Sequence, residues 1–253
     1  MKKFRPMKRL RPYLRRLEAN LHTRRDRQTG FLHQDCVGRR VYLKSPQDYI
    51  KPRLLEWLCR EIYFKHHLPG PTETVVDIGA GLGHEAVWLG VTSGTQRYVG
   101  IEIQPSIYEC LCNTMHEAGF GHQALGVAIS DHPDDVFLRS ADTYQSKSTL
   151  DTGGYIRVPT MSWEAFLGKF NIERVDLLKI NIEGGEKFLL PAIRDFSNIS
   201  RIIVSAHDFR ADAGDGEHFR TRALVTEFLS QAGYRLKPAG GGWLENWIFA
   251  SRD

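Results

Sequence analysis

The sequence predicts an α/β fold: a mostly parallel sheet with helices on both faces and an antiparallel last strand. Three observations carry that expectation. From residue 74 onward, short apolar runs alternate with helical segments, the pattern of strands joined by crossover helices. One run, Thr74-Val75-Val76-Asp77-Ile78, ends in Gly79-Ala80-Gly81-Leu82-Gly83, which sets three glycines in five residues before a helix start. The last two strands are joined by Pro238-Ala239-Gly240-Gly241-Gly242, too short for a crossover helix, so they run antiparallel.

The elements follow in order. Residues 1–27 hold eleven Lys or Arg against Glu18 and Asp26, and Leu10, Leu14, Leu17 and Leu21 recur at spacings that put them on one helix face. The local excess of nine positive charges in a chain of formal charge +4 leaves the remainder acidic by five. Three readings of this basic amphipathic helix compete: packing on its own domain or on a second subunit, a surface for anionic lipid, and a nucleic-acid-binding arm. Packing is the favoured one, because four leucines need burial, and it allows a homodimer through this helix. An Arg-rich, acid-poor start also resembles an organellar presequence. After a polar stretch containing Val41-Tyr42-Leu43, Ser45-Pro46-Gln47-Asp48 opens a helix expected over Tyr49 to Phe64. Pro69-Gly70-Pro71 then breaks the chain, dividing an N-terminal helical extension, 1–70, from the main domain, 71–253.

In the main domain the pattern predicts strand 74–78, helix 84–92, strand 97–103, helix 105–118 and strand 122–129. Extended segments at Val136 to Arg139 and Tyr155 to Pro159 flank a polar stretch, Ser140 to Gly154, expected as a mobile flap, with a plain surface loop as the default. Helix 162–169, strand 175–182, helix 186–194, strand 200–206, helix 217–232 and strands near 234–238 and 244–250 complete the domain.

Composition narrows the class. With 253 residues, 42% of them hydrophobic and 11% aromatic, the chain buries a substantial core. No apolar run approaches the roughly 18 residues of a membrane span, and the start lacks a secretory h-region, so the expected location is the cytoplasm. Cys36, Cys59, Cys110 and Cys112 form no CxxC pair and read as reduced thiols; Cys110 and Cys112, two apart on a helix, point to different faces and make a poor metal clamp. His66-His67, His84, His116, His122 and His132 form no chelating constellation, and no metal is expected.

A strand, a glycine-rich turn and a helix start bring a nucleotide close to backbone amides. The spacing is G-x-G-x-G; a dinucleotide fingerprint starting at Gly79 needs glycine where His84 stands. Asp77 sets a negative charge where a pyrophosphate is repelled and an amine-bearing ligand is welcomed. This favours S-adenosylmethionine over NAD. The next strand ends at Glu102, nineteen residues past Gly83, where a carboxylate accepts both ribose hydroxyl protons.

These residues resemble motif I and the acidic second-strand end of class I S-adenosylmethionine-dependent methyltransferases. Ala128-Ile129-Ser130-Asp131, Gln145 to Leu150 and above all Val175-Asp176-Leu177-Leu178-Lys179-Ile180-Asn181-Ile182-Glu183-Gly184-Gly185-Glu186 are similar to the FkbM family, which typically reads VDLLKIDVEGAE at the last of these. The resemblance spans residues 74 to 210 and implies a Rossmann-like class I methyltransferase sheet. It implies that Asp77, Gly79, Gly81 and Gly83 line the methionine and ribose side, that Glu102 holds the ribose hydroxyls, and that Ile103, Ala128 and Ile129 edge the adenine pocket. Asn181 joins them at the end of the fourth strand, where several family members carry Asp.

Methyl transfer to an alcohol needs alignment and a route for the proton. Glu183, matched to the family's motif glutamate, is the first candidate base or acceptor-binding carboxylate, and His207 the second. Each also has a structural reading, Glu183 as a helix-start carboxylate and His207 as a hydrogen-bonded strand-end residue. Ser205 stands where the family often places Glu. The leading function is O-methylation of a small-molecule, sugar or glycan-type hydroxyl, as the resemblance implies. Nucleic-acid methylation, using the basic start, ranks second; the chain lacks the Asn/Asp-Pro-Pro-aromatic signature of base-amine methyltransferases. A non-catalytic S-adenosylmethionine-binding protein and an NAD-dependent oxidoreductase complete the order.

Overall fold

A computed structural model describes residues 17–121, 123–131, 136–139, 147–149, 155–237 and 240–252. Leu10, Leu14, His122, His132 and, apart from residues 147–149, the polar stretch 140–154 lie outside the described residues.

The chain opens with α1, described over residues 17–22, then β1 (Thr23–Arg25), β2 (Leu32–Cys36) and β3 (Arg39–Leu43), an antiparallel sheet of three strands. The polar stretch between the two expected helices, in which only Val41-Tyr42-Leu43 stands out as apolar, forms this small sheet. The β2–β3 hairpin turns through Val37 and Gly38, both at positive φ (48° and 80°), and a β-branched residue there gives no turn signal in the sequence.

The helix expected over 49–64 is three pieces. Ser45 and Asp48 bond one another around the single turn Pro46–Asp48, Pro52 starts α2 (Pro52–Leu58), and a π-helical turn, Cys59–Tyr63, follows. The body then alternates: β4 (Thr74–Ile78), α3 (His84–Thr92), β5 (Arg97–Ile101), α4 (Pro105–Ala118), β6 (Ala124–Leu125) and β7 (Ala128–Ile129). The expected strand 122–129 is interrupted at Gly126, where the backbone passes the Tyr108 ring so closely that a Cβ would lie 3.0 Å from it. Next come β8 (Val136–Arg139), β9 (Lys147–Thr149), β10 (Tyr155–Val158), β11 (Thr160–Met161), α5 (Trp163–Lys169), β12 (Val175–Ile180), α6 (Glu186–Ala192) and β13 (Ile199–Ser205). A short α7 (Asp208–Asp212), absent from the sequence reading, precedes α8 (Arg222–Gln231), and β14 (Arg235–Lys237) and β15 (Trp247–Ser251) close the chain. The helix expected over 217–232 starts only at Arg222, because the Asp208 carboxylate accepts the Thr221 and Arg222 amides and caps it from another segment.

The main sheet has seven strands in the order β14-β15-β13-β12-β4-β5-β6, and β15 runs antiparallel to both its neighbours. This is the expected α/β architecture, with a reversal in strand order beside β4. Alternation along the strands divides the core in two. Val75, Tyr98, Leu177, Ile203 and Phe249 face α3 and α4 together with Leu43, Leu55 and Ile62 of the N-terminal segment. Val76, Val99, Leu178, Ile202 and Ile248 face the side covered by α5, α6 and α8. The N-terminal segment is thus one cover of the sheet, held also by the Tyr42 amide donating to Thr114 Oγ1 at 2.9 Å. The described part of α1 behaves otherwise: Leu17 and Leu21 are 61% and 73% exposed, so their own domain does not bury them. Among the described residues no helix is long and apolar enough to cross a membrane.

Because Leu43 is fully buried in the shared core, Leu43→Ala is expected to cost about 2–5 kcal/mol and to lower one cooperative transition for the whole chain. Urea unfolding followed by far-ultraviolet circular dichroism and by tryptophan fluorescence checks this; two separate transitions would contradict it.

Candidate functional site

Ligands of open α/β sheets sit at the carboxyl ends of the strands, where strand order reverses. There β4 runs into a turn in which Gly79, Gly81 and Gly83 all have left-handed backbones, with φ of 83°, 56° and 82°. A Cβ on Gly79 would lie 2.1 Å from the Asn181 carbonyl oxygen, so only glycine lets the turn approach the end of β12. A Cβ on Gly83 would lie 3.0 Å from Leu111 and Thr114, so this glycine sets how closely α3 meets α4. The Gly79 and Ala80 amides donate to the Ile101 carbonyl, and the Gly81 amide to Glu102 Oε2 at 3.0 Å. The other Glu102 oxygen accepts the Gln104 amide at 2.9 Å, and burial raises its carboxyl above the ordinary range against these bonds.

Asp77 does not reach into this site. It is fully buried beneath the turn, where Lys179 Nζ lies 3.0 and 3.1 Å from its oxygens and the Tyr98 hydroxyl donates to Oδ2. The register sets Lys179 directly across from Asp77, Glu85 lies 3.6 Å from the ammonium, and the Tyr63 ring stacks 5.2 Å from it. Burial disfavours the charge on Lys179, but Asp77 and Glu85 outweigh it and raise the ammonium above its ordinary value. The Asp77 carboxylate, expected to line the ligand, is held by Lys179 and Tyr98 and braces the turn from below.

Asn181, at the end of β12, meets the glycine turn through its backbone, and its amide donates to the Ile78 carbonyl at 2.9 Å. The chain then turns sharply, with Glu183 and Gly184 both left-handed, φ 54° and 94°. For a glutamate this is a strained conformation. It delivers the carboxylate to a charged cluster: Glu183 Oε2 accepts from Arg210 Nη1 at 2.6 Å, and Oε1 lies 3.4 Å from His207 Nε2. His207 Nδ1 lies 3.2 Å from Oε1 of the fully buried Glu186. Arg210 in turn bonds Asp215 and stacks 4.0 Å over the Phe219 ring.

Burial disfavours the His207 charge, yet its bonds to Glu183 and Glu186 outweigh this and push it up to about 9. The two carboxylates thus favour the imidazolium form of His207 at neutral pH. Burial raises Glu183, but His207 and Arg210 hold its carboxyl below the ordinary range, so it is ionised.

The remaining candidates separate. Ile103 follows Glu102 at the edge, half-buried. Ala128 and Ile129 form β7 against β11, and Ile129 points into the core, leaving Ala128 at the edge. Among the described residues no group of three or more His, Cys, Asp or Glu is arranged to hold a metal. Sequence reasoning missed Lys179, Tyr98 and Arg210. Lys179 had a signal, a lone cation inside a buried strand whose other residues are apolar apart from Asp176; Arg210, on a helix of five residues, had none.

The family model described as the methyltransferase FkbM domain matches residues 77–236, more than half of the chain. Among curated proteins no sequence matches. Similar solved structures include precorrin-6y C5,15-methyltransferase from Geobacter metallireducens GS-15, at 12% identity over 81% of this chain and 90% of that one, TM-score 0.44. M. jannaschii TYW2 in complex with AdoMet is 13% identical over 86% of this chain and 82% of that one, TM-score 0.43. A SAM-dependent methyltransferase from Aquifex aeolicus is 13% identical over 80% and 97%, TM-score 0.43.

Two outcomes test this geometry. Lys179→Met strands the Asp77 carboxylate and is expected to cost about 3–5 kcal/mol, with part of the loss recovered in the Asp77→Leu/Lys179→Met double variant; chemical denaturation of the three proteins reads both. His84, at the start of α3, is buried with Nε2 unpartnered, and burial lowers its pKa from 6.5 to about 4. Below pH 6.5 the unfolded chain binds a proton that the folded one refuses, so stability falls toward pH 4 by up to ~3 kcal/mol. Replacing His84 with Phe is expected to flatten that limb of the melting-temperature profile.

Proposed function

The chain belongs to the FkbM methyltransferase family, and from that premise we propose that it transfers the methyl group of S-adenosylmethionine to a hydroxyl of a small-molecule, sugar or glycan-type acceptor. The observation that carries this reading is the meeting of two turns at the carboxyl edge: Gly79 against the Asn181 carbonyl brings the glycine cradle and the Glu183 carboxylate to one place.

The residues fit the donor. The glycine turn packs without side chains against Asn181, Leu111 and Thr114, and the Glu102 carboxylate, partly exposed beside it, suits a pair of ribose hydroxyls. Ile103 and Ala128 supply apolar edges for a purine, while Ile129 supports them from the core. S-adenosylmethionine, when bound, supplies the methyl as a sulfonium whose charge disappears in an in-line displacement.

The protein's part is alignment and removal of the proton. With donor and acceptor bound, Glu183 would be the group that takes the acceptor's hydroxyl proton as the methyl is transferred. A carboxylate with a lowered pKa is a weak base, but the alcohol proton becomes far more acidic as its oxygen is alkylated, so transfer late in the step suits it. Arg210 and the His207 imidazolium hold Glu183 in place and ionised, and Glu186 holds His207.

Thermal stabilisation by S-adenosylhomocysteine but not by NAD is the expected donor signature, and Glu102→Ala is expected to weaken its Kd by about tenfold or more. Against a panel of hydroxylated acceptors, Glu183→Gln is expected to lower turnover by about 10²–10⁴ while leaving the S-adenosylhomocysteine Kd unchanged. The pKa of His207 lies above that of a free imidazole, so its stabilising charge is present at and below neutral pH and is lost as pH rises through about 9. Turnover and melting temperature should both fall there; unchanged turnover in Glu183→Gln removes the carboxylate from the reaction.

A further inference from the structure

We propose that the N-terminal face of this protein docks on an anionic lipid surface. The face joins α1 to α2: Glu18 Oε2 lies 2.7 Å from Lys51 Nζ, and the His22 ring stacks on Tyr49 at 5.6 Å, which hold α1 beside the start of α2. Leu17 and Leu21, four residues apart on α1, and Leu54 and Trp57, three apart on α2, are all exposed, the last two at 46% each. Single exposed apolar residues are ordinary, but four on two tethered helices are a surface looking for cover.

Charge identifies the cover. Residues 1–27 carry eleven Lys or Arg against two acids, and Arg24, Arg25 and Arg27 after α1 are exposed, as are Lys51, Arg53 and Arg60 around Leu54 and Trp57. A second copy meeting this face across a two-fold axis would set two such cationic segments against each other. A nucleic acid would engage the arginines and leave the leucines and Trp57 in water. A bilayer interface with anionic headgroups satisfies both halves at once: leucine and tryptophan enter the headgroup–acyl boundary while Lys and Arg stay with the phosphates. Leu10 and Leu14 continue the apolar spacing of Leu17 and Leu21 in the sequence, which extends the same pattern.

The test uses the full chain and sedimented vesicles of phosphatidylcholine with or without phosphatidylglycerol. Binding is expected only with phosphatidylglycerol, weakening as salt rises. Leu21→Glu/Trp57→Glu is expected to reduce it at least about tenfold with melting temperature and S-adenosylhomocysteine affinity unchanged, as is Arg24→Gln/Arg25→Gln/Arg53→Gln. Three results overturn the proposal: no vesicle binding, equal binding to neutral vesicles, or a dimer in light scattering that Leu21→Glu/Trp57→Glu dissociates. RNA retention that survives the apolar pair of substitutions, without vesicle binding, would assign the face to nucleic acid instead. None of these readings depends on the methyl acceptor.

Discussion

The buried pair of Asp77 and Lys179 is the constraint on which the site depends. It sits at matched positions of β4 and β12, so its formation and the register of the two central strands are one event. Charges this deep are costly unless paired and bonded, and here each is: Tyr98 donates to the carboxylate, while Glu85 and the Tyr63 ring attend the ammonium. With the register set, Gly79 arrives against the Asn181 carbonyl, and the glycine turn cannot slide without a collision. Tyr63 comes from the N-terminal segment, so the same pair ties that segment to the centre of the sheet.

A second charged layer stands above the first, and it is organised for a different end. Beneath the turn the charges are sealed and serve packing. At the carboxyl edge Glu183 retains 22% of its side-chain surface and is held there in a left-handed conformation. Such strain costs of order 1–3 kcal/mol and persists only where the surroundings impose it. Arg210, His207 and Glu186 are those surroundings, and they come from α7, the end of β13 and α6. The result is an ionised carboxylate in a fixed place, which a flexible loop could not provide.

The order of strands and helices was legible because β4, β5, β12 and β13 are mostly apolar and mostly buried, and such runs separated by helical periods admit few other folds. The glycine spacing and the Glu102 position were legible for a related reason: a turn that tight tolerates few residues. The N-terminal sheet was not, since Thr23–Arg25 and Leu32–Cys36 lack alternation and their hairpin turns on a valine. Nor was the start of α8, because its cap, Asp208, is thirteen residues away from Thr221 in the chain.

What the sequence determined by itself is what short-range periodicity and backbone permissiveness encode: the α/β order, the antiparallel last pair, the glycine cradle, and a carboxylate, Glu183, at the end of a central strand. What only the tertiary structure decided is where each charge points and whom it meets. The partner of Asp77 is Lys179, 102 positions later, which only the pairing of two strands sets across from it. The two carboxylates on the two nitrogens of His207 likewise come from another part of the chain. Leu17 and Leu21 read as core until they are found facing solvent. Protonation, orientation and burial are set by contacts between residues far apart in the chain, and those contacts exist only once the fold has formed.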